Sequence, residues 1–406
     1  MAPFNPVHDF GKWPAYGLYF VIGLAFGFIL ESAGFGNSRK LAAQFYFTEL
    51  TVLKVMFGAI IVAMVGIFGT SALGWLDYNV IWVNPTYLWP GILGGLIMGV
   101  GFILGGFCPG TSLVAMATAK VDGIFFVLGV LFGIFLFGET VDHYAVFFNS
   151  SYYGRFTLMD LLGLPAGWIV LGVVVMALGM FWGAEQSERV VGGRDLAREP
   201  RWRYGAAMAM VLLASLVMIQ GQPTTEDRWN FIAAEKDALL EQRSVQIEPV
   251  ELISLMHDKT LRLTLLDVRS EADYNQFHLR DAIHVPLSEL VEYSKQLQLV
   301  AQPAVFVVIG NDEVAATEAW RFLQAETVPN VYLLSGGING WLDRLADESL
   351  GAMKKTTHET DELAYLFPVA FGDRLGPSHP SLAPQTEFEP KVKLQRKKGP
   401  TGGGCG

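Results

Sequence analysis

Two cysteines, Cys108 and Cys405, are the residues of this chain best suited to chemistry, and glycines crowd both. Cys108 falls in Gly105-Gly106-Phe107-Cys108-Pro109-Gly110-Thr111-Ser112, directly after an apolar segment of bilayer length. A thiol followed by Pro-Gly at membrane depth predicts a broken helix with chemistry at its tip. Irregular backbone survives in a bilayer only where protein or a water-filled cavity satisfies its polar groups, so such a break lines a pathway. Cys405 stands in Gly402-Gly403-Gly404-Cys405-Gly406, preceded by Lys391, Lys393, Arg396, Lys397 and Lys398. Glycines around that thiol predict a flexible arm, about fifty residues long counting from Leu350. Two cysteines cannot build a disulfide framework.

The break at Cys108 has a counterpart. Sliding the first apolar segment forward until Gly34 falls on Gly106 also brings Gly23 onto Gly95, Gly27 onto Gly99, Phe35 onto Phe107, Leu41 onto Leu113 and Ala43 onto Ala115. Each copy reads helix, Gly-rich break, short segment, helix. Duplicated broken helices point to a transport site between repeats. Gly36 occupies the place of Cys108, so one copy carries the thiol and the other does not. The residues also allow a glycine-rich packing seam with a buried cysteine. Arg39, Lys40 and Lys54 outnumber Glu31 and Glu49 around the first break, while Thr111, Ser112 and Lys120 follow the second. Cations, hydroxyls and free helix N-termini suit an oxyanion. Arg39 and Lys40 could equally belong to a cytoplasmic loop.

The elements that must position these residues divide by solvent. The 406 residues are 51% hydrophobic and only 17% charged, and the charge gathers beyond about residue 185. A membrane half and a water-soluble half follow. Membrane helices are expected at Pro14 to Phe35, Leu50 to Phe68, Trp89 to Phe107, Gly123 to Gly138, Leu161 to Trp182 and Tyr204 to Gly221. At ~1.5 Å per residue the first reaches about 33 Å, enough for a hydrocarbon core. Trp13, Tyr78, Trp82, Tyr87, Trp89 and Trp182 fall near segment ends, as interfacial aromatic residues do. Met1 to Trp13 lacks the pattern of a removable signal peptide, so the first segment is expected to be retained. The net charge of -10 argues against a nucleic-acid partner. No metal cluster or cofactor motif stands out.

The repeated Gly-Phe break, with Gly-Phe-Cys-Pro-Gly-Thr in one copy, resembles the YeeE/YedE family of sulfur-compound transporters over roughly Tyr16 to Trp182. The resemblance implies that Cys108 handles thiosulfate through transient sulfur contacts. Together with the residues of the two breaks, the candidate substrate pathway is Cys108, Pro109, Gly110, Thr111 and Ser112 with Gly34, Phe35, Gly36, Arg39 and Lys40. The chain departs from the family pattern in having fewer segments and no cysteine at Gly36. Thiosulfate, a dianion with a soft terminal sulfur, can hydrogen-bond to a thiol or exchange with it.

Topology follows from the stretch Glu185 to Arg203, read as a loop carrying Arg189, Arg194, Arg198, Arg201 and Arg203. Its Arg excess assigns it to the cytoplasm. If Tyr204 to Gly221 then spans the inner membrane, everything after Gln222 is periplasmic. Gln220 and Gln222 crowd the end of that minimal span.

The soluble half opens with a polar helix at Glu226 to Arg243, followed by an α/β pattern. Leu263 to Val268 and Val305 to Ile309 read as buried parallel strands, and Val250 to His257 and Ala315 to Ala325 as helices. Leu265-Leu266-Asp267-Val268-Arg269, then Phe277 through Pro286, then Leu334-Ser335-Gly336-Gly337-Ile338-Asn339-Gly340-Trp341 resemble a rhodanese domain. Rhodaneses transfer sulfur through a cysteine after a central strand. The resemblance assigns that position to Gly310, in the loop Gly310-Asn311-Asp312-Glu313, which lacks thiol and arginine and carries acids that repel an anion. A docking or structural role is expected there, with Asp267 and Arg269 as a structural pair. The ending resembles the Gly-Gly-Cys-Gly arm of the periplasmic SoxY sulfur carriers, which implies a sulfur-carrying role for Cys405.

The expected fold is therefore an α-helical integral membrane domain with an internal repeat of broken helices, a soluble α/β rhodanese-like domain, and a flexible C-terminal tail. The expected boundaries are 1-222 for the membrane domain, 223-245 for a helical linker, 246-350 for the rhodanese-like domain and 351-406 for the tail. The expected function is transport of a small sulfur-containing anion across the bilayer, with periplasmic sulfur-oxidation or sulfur-relay proteins as partners. A membrane scaffold presenting the carrier arm is one alternative; a membrane sulfurtransferase using Cys405 or Cys108 is another.

Overall fold

The structure, a computed structural model, describes residues 6–81, 83–193, 200–298, 300, 304–345, 353–381 and 388–394. Trp82, Arg194, Arg198, Arg396, Lys397, Lys398 and Cys405, singled out above, lie outside the described residues. The chain divides at Gln222/Pro223 into two compact units.

The first unit is helical because its sequence offers long apolar runs without interior proline. Its helices are α1 (Pro6–Phe10), α2 (Lys12–Ser32), α3 (Ser38–Ala43), α4 (Thr51–Ala72), α5 (Leu88–Gly105), α6 (Pro109–Ala117), α7 (Val121–Thr140), α8 (Ala145–Phe148), α9 (Leu158–Leu162), α10 (Ala166–Val190) and α11 (Trp202–Gln220). Six spans are long and apolar enough to cross a membrane: Lys12–Ser32, Thr51–Ala72, Leu88–Ala117, Val121–Phe148, Ala166–Val190 and Trp202–Gln220. Large side chains such as Phe20, Phe28, Leu104 and Phe125 stand exposed on their surface. Lipid would cover such a surface, since a bare patch of this kind is costly in water.

All six spans differ by some residues from the expected bounds. The fourth, Val121–Thr140, outruns Gly123 to Gly138 at both ends. The fifth starts only at Ala166, because Gly163 takes a left-handed conformation and Pro165 cannot sit inside a helix. It runs to Val190, which makes Glu185 to Arg189 helical rather than loop. The cause is Glu188, 1% exposed, which accepts hydrogen bonds from the Leu50 N–H and from Lys54 Nζ at 2.7 Å. Those bonds hold the end of α10 against the start of α4.

Helices α4, α10 and α11 share a core of Ile61, Val65, Val170, Val174, Ala177 and Ala214. Their ends give the bundle a direction. At one end lie Leu50, Lys54 and Glu188, with Gly192 packed on the Thr48 carbonyl. At the other, Gln220 Nε2 donates to Ala72 O at 3.2 Å and Gln222 Nε2 to Phe68 O at 3.1 Å, and Gly167 closes on Met218.

The internal repeat is physical. The order α2, break, α3, α4 recurs as α5, break, α6, α7. Both breaks open on a left-handed glycine, Gly34 at φ 83° and Gly106 at φ 70°. A side chain at such an angle is strained, which accounts for glycine at both positions. Phe35 and Phe107 follow and are buried in one cluster with Leu41, Val52 and Ala115. Val52 belongs to the first turn of α4, so the breaks sit at the Glu188 end of the bundle.

The second unit begins with α12 (Thr225–Glu241), whose N-terminus is closed by a Thr224–Asp227 capping box. The elements that follow are β1 (Gln246–Ile247), α13 (Pro249–His257), β2 (Arg262–Asp267), α14 (Glu271–Gln276), β3 (Ala282–His284), α15 (Leu290–Leu297), β4 (Ala304–Ile309), α16 (Val314–Ala325), β5 (Val331–Leu334) and α17 (Gly337–Leu345). The strands form a parallel sheet in the order β1-β5-β4-β2-β3. Every residue of β4 is buried, as expected of a central strand covered by helices on both faces. Asp267 and Arg269 have fully buried side chains joined by two bonds between them, Nη2–Oδ2 at 2.7 Å and Nε–Oδ1 at 2.9 Å, and the Arg269 N–H donates to Oδ1 at 3.2 Å. Arg269 Nη2 also donates to Phe277 O at 2.7 Å, so the pair stitches β2 to the chain after α14.

Described segments of the polar stretch after Leu350 pack on this unit. Strands β6 (Met353–Lys354) and β7 (Tyr365–Leu366) pair antiparallel, and Leu363, Ala364 and Tyr365 join the core. Further on, the buried Glu251 accepts from the Lys391 and Val392 amides at 2.8 and 3.0 Å. Tyr332 Oη exchanges hydrogen bonds with the Lys393 amide at 2.8 Å and carbonyl at 3.2 Å.

Candidate substrate pathway

The second break places its thiol by ordinary helix-end physics. Gly106 ends α5, its N–H donating to Phe102 O at 2.9 Å, and Gly105 lies against the Phe126 ring. Cys108, extended at φ -94° and ψ 167°, is the N-cap of α6, and Pro109 takes the first helical position, where a missing N–H costs nothing. Cys108 N–H donates to Thr111 Oγ1 at 2.9 Å, and the Thr111 N–H points at Cys108 Sγ at 3.4 Å. Thr111 Oγ1 lies 3.3 Å from the same sulfur. The sulfur thus stands where Ser, Thr, Asp or Asn usually caps a helix, as an acceptor. Thr111 and Ser112 are buried, Ser112 Oγ donating to Pro109 O at 2.8 Å. Cys108 and Gly110 are half-buried and Pro109 is exposed.

The first break uses other means. Phe35 N–H donates to Leu30 O at 3.0 Å, and Asn37 caps α3 by accepting from the Arg39 N–H at 3.1 Å. Gly36 is buried, and a Cβ there would fall 2.6 Å from Glu31 Oε2 and 2.9 Å from Lys120 Nζ. An ion pair between the repeats, Lys120 Nζ to Glu31 Oε1 at 3.6 Å, therefore lies over the position equivalent to Cys108. The breaks touch directly: a Cβ on Gly106 would lie 3.0 Å from Ser38 Cβ, and Ser38 Oγ donates to Asp122 Oδ2 at 2.8 Å.

The structure thus brings together Gly34, Phe35, Gly36, Phe107, Cys108, Thr111 and Ser112 as two adjoining breaks. Arg39 stands exposed, off the packed seam. Lys40 folds back over Gly34 and pairs with Glu49 at 3.5 Å. The cations counted around the breaks are largely spoken for, Lys40 by Glu49, Lys54 by Glu188 and Lys120 by Glu31. Sequence reasoning registered these residues by sign but not as pairs. It missed Ser38–Asp122, and it assigned Glu188 to a loop. The available signal was ionisable residues bordering apolar helices, which are expensive there unless partnered.

In the second unit, the loop Gly310-Asn311-Asp312-Glu313 leaves β4 and enters α16. Ile338 N–H donates to Gly310 O at 2.9 Å and Asn339 N–H to Asn311 O at 3.0 Å. Asn311, buried, donates to Asp273 Oδ2 at 2.9 Å and to Asp361 O at 2.8 Å. Asp312 accepts from the Asp361 N–H at 2.7 Å, and Asn339 grips Glu362 and Ala364. The chain's own segment 361–364 therefore lies against this loop. Burial, and after it Asp312 and Asp273, pushes the Asp361 carboxyl above the ordinary aspartate range. Burial also pushes Glu313 up, but the Arg243 guanidinium, the Gly336 amide and the Ser335 hydroxyl outweigh it and hold Glu313 low. Among the described residues no cluster of His, Cys, Asp and Glu forms a metal site.

A sulphur transport family model matches residues 32–241, a stretch that holds both breaks and Cys108. The chain belongs to the sulphur transport family. This transporter also matches the rhodanese-like domain model over residues 248–344, which covers the sheet from α13 to α17. It is thus a multi-pass membrane protein of a sulfur-transport family joined to a rhodanese-like domain. It is 24% identical over 106 residues to a probable molybdopterin-synthase adenylyltransferase of Porphyra purpurea, covering 26% of the transporter and 27% of that protein. The transporter thus spans about a quarter of the length of that curated relative. No solved structure matches it.

Proposed function

We propose that this transporter carries a small inorganic sulfur anion, thiosulfate first among the candidates, along a pathway at Cys108. The observation that carries the reading is the half-buried Cys108 sulfur at the N-cap of α6, held by Thr111 where two repeat-related breaks adjoin. Thiosulfate offers a soft sulfur to the thiol and oxygens to the amides and hydroxyls of the α6 N-terminus. Ser112, Gly110, Pro109, Gly34, Phe35 and Gly36 shape the pathway in this reading, while Arg39 and Lys40 attract the anion to its mouth.

The Glu188 end of the bundle carries Arg189, Arg201 and Arg203, which favours the cytoplasm for that end. Gln220 and Gln222 lie at the opposite end, so in an inner membrane the chain after them would enter the periplasm. The rhodanese-like domain serves as a dock rather than a sulfurtransferase. The acids of 310–313, the lack of a thiol there and the contacts of segment 361–364 support this. Cys405 would carry sulfur to or from periplasmic sulfur-oxidation or sulfur-relay proteins.

Uptake of sulfur-labelled thiosulfate into cells lacking their own importers tests the proposal. Native protein should take it up, and Cys108→Ala at equal membrane expression should not. Equal uptake by both would end the Cys108 pathway. One observation favours the second reading, a scaffold: Glu251 and Tyr332 tie the described tail to the rhodanese-like domain. A scaffold would co-purify with partner proteins and take up nothing.

A further inference from the structure

The geometry points to Lys120 as the cation that receives the transported anion, with Glu31 holding its place when the site is empty. The inference rests on the thiosulfate reading above and adds to Cys108 a second recognition group on the other side of the repeat.

Of the three lysine–glutamate pairs at this end of the bundle, two contrast sharply. Lys54 meets Glu188 at 2.7 Å, the carboxylate is 1% exposed, and it also caps α4 through Leu50. That is a fixed clamp, because breaking it leaves a buried charge unpaired. Lys120 meets Glu31 at 3.6 Å, with side chains 38% and 45% exposed. Among the described residues Lys120 Nζ makes no hydrogen bond, so its three N–H donors are unspent. Pairs of such length and exposure are worth little and exchange readily.

The place of this pair matters as much as its looseness. Both charged ends converge on Gly36, the repeat partner of Cys108. Where one repeat presents a thiol, the other keeps glycine and fills the vacated volume with an ammonium and a carboxylate. Glu31 comes from the last turn of α2 in the first repeat, and Lys120 caps α7 in the second. An incoming dianion would attract Lys120 more strongly than the single carboxylate does and replace it. Glu31 would still repel the anion, keeping binding weak enough for release, as conduction requires. A lone ammonium beside apolar helices is costly, which explains why the empty site needs a substitute anion. Of the other charged groups nearby, Asp122 accepts from Ser38, and Lys40, paired with Glu49 at 3.5 Å, lies over Gly34 rather than over Gly36.

The test is equilibrium binding of sulfur-labelled thiosulfate to purified full-length protein in lipid nanodiscs. Lys120→Gln should weaken binding about tenfold or more, the scale of one charge-assisted bond. Lys120→Arg should keep it within a fewfold, which guards against a folding artefact. Glu31→Gln should bind severalfold tighter and, in uptake, lower the KM and the maximal rate together. Unchanged binding in Lys120→Gln would overturn the inference. So would equal weakening by Lys120→Gln and Glu31→Gln, which marks a strut. If binding vanishes in Cys108→Ala but not in Lys120→Gln, the thiosulfate reading stands and this one falls. If native protein binds no thiosulfate, both fall.

Discussion

Cys108 and Thr111 close a reciprocal cap, with Thr111 Oγ1 accepting the Cys108 N–H at 2.9 Å while the Thr111 N–H faces the Cys108 sulfur at 3.4 Å. The hydroxyl therefore orients the thiol without being part of it. Thr111→Val should lower uptake severalfold and destabilise the protein by about 1 kcal/mol, the typical worth of a cap. Thr111→Ser should restore both. Cys108→Ser, which can still cap, should keep stability and lose uptake. Uptake and thermal unfolding measured on the same four proteins separate capping from sulfur chemistry.

The two break glycines should respond unequally. At Gly106 an added methyl meets positive φ and the Ser38 backbone at 3.2 Å. At Gly36 it meets only the far ends of Glu31 and Lys120, which can swing aside. Gly106→Ala should therefore cost about 1–2 kcal/mol or more, and Gly36→Ala less than about 1 kcal/mol. Thermal melting of detergent-purified protein ranks them, and a reversed order would contradict the break geometry.

Glu188→Ala should be among the most damaging substitutions in the helical unit, at about 3–5 kcal/mol, because Lys54 is left without its buried partner. Replacing both, as Lys54→Met with Glu188→Leu, should recover part of the loss. The melting temperatures of the single and double variants give the coupling between α4 and α10.

Asp361 supplies a pH dependence. Its carboxyl titrates above the ordinary aspartate range in the folded unit, and among the described residues its buried Oδ1 has no partner. A raised folded value means the unfolded chain ionises first, so the charge opposes folding at neutral pH. Acidification through the folded value lifts that opposition. Asp361→Asn should stabilise the protein at pH 7, and its advantage should shrink steadily as the pH falls toward the ordinary aspartate range. Chemical denaturation followed by tryptophan fluorescence, repeated at several pH values, reads the difference. A constant advantage would show that the charge is not its source.

Much of this architecture could be read from local pattern. Apolar run length located the six spans, and the register of Gly34 on Gly106 located both breaks. Alternation of buried strand and helix segments located the sheet around β2 and β4. What escaped reading were pairings between residues far apart in the chain. Glu188 looked like loop because its neighbours are charged, and only Leu50 and Lys54 make a helix end there favourable. Gly36 read only as the copy without a thiol, and a reason for glycine became visible when Glu31 and Lys120 met above it. Segment 361–364 read as polar tail, because the asparagines that hold it, Asn311 and Asn339, lie in another part of the sequence.

The grip of Glu251 and Tyr332 on Lys391 to Lys393 sets the length of a leash. Roughly ten residues separate Leu394 from Cys405, which bounds the thiol within ~35 Å of that point even at full extension. Were the grip released, the nearest held residue before it among the described ones would be His379, whose ring meets that of His257 at 4.8 Å between centroids. The radius would then grow to ~90 Å. Glu251 and Tyr332, helped by the Lys391 ammonium on the Gln246 carbonyl at 2.9 Å, thus separate a short tether from a long one.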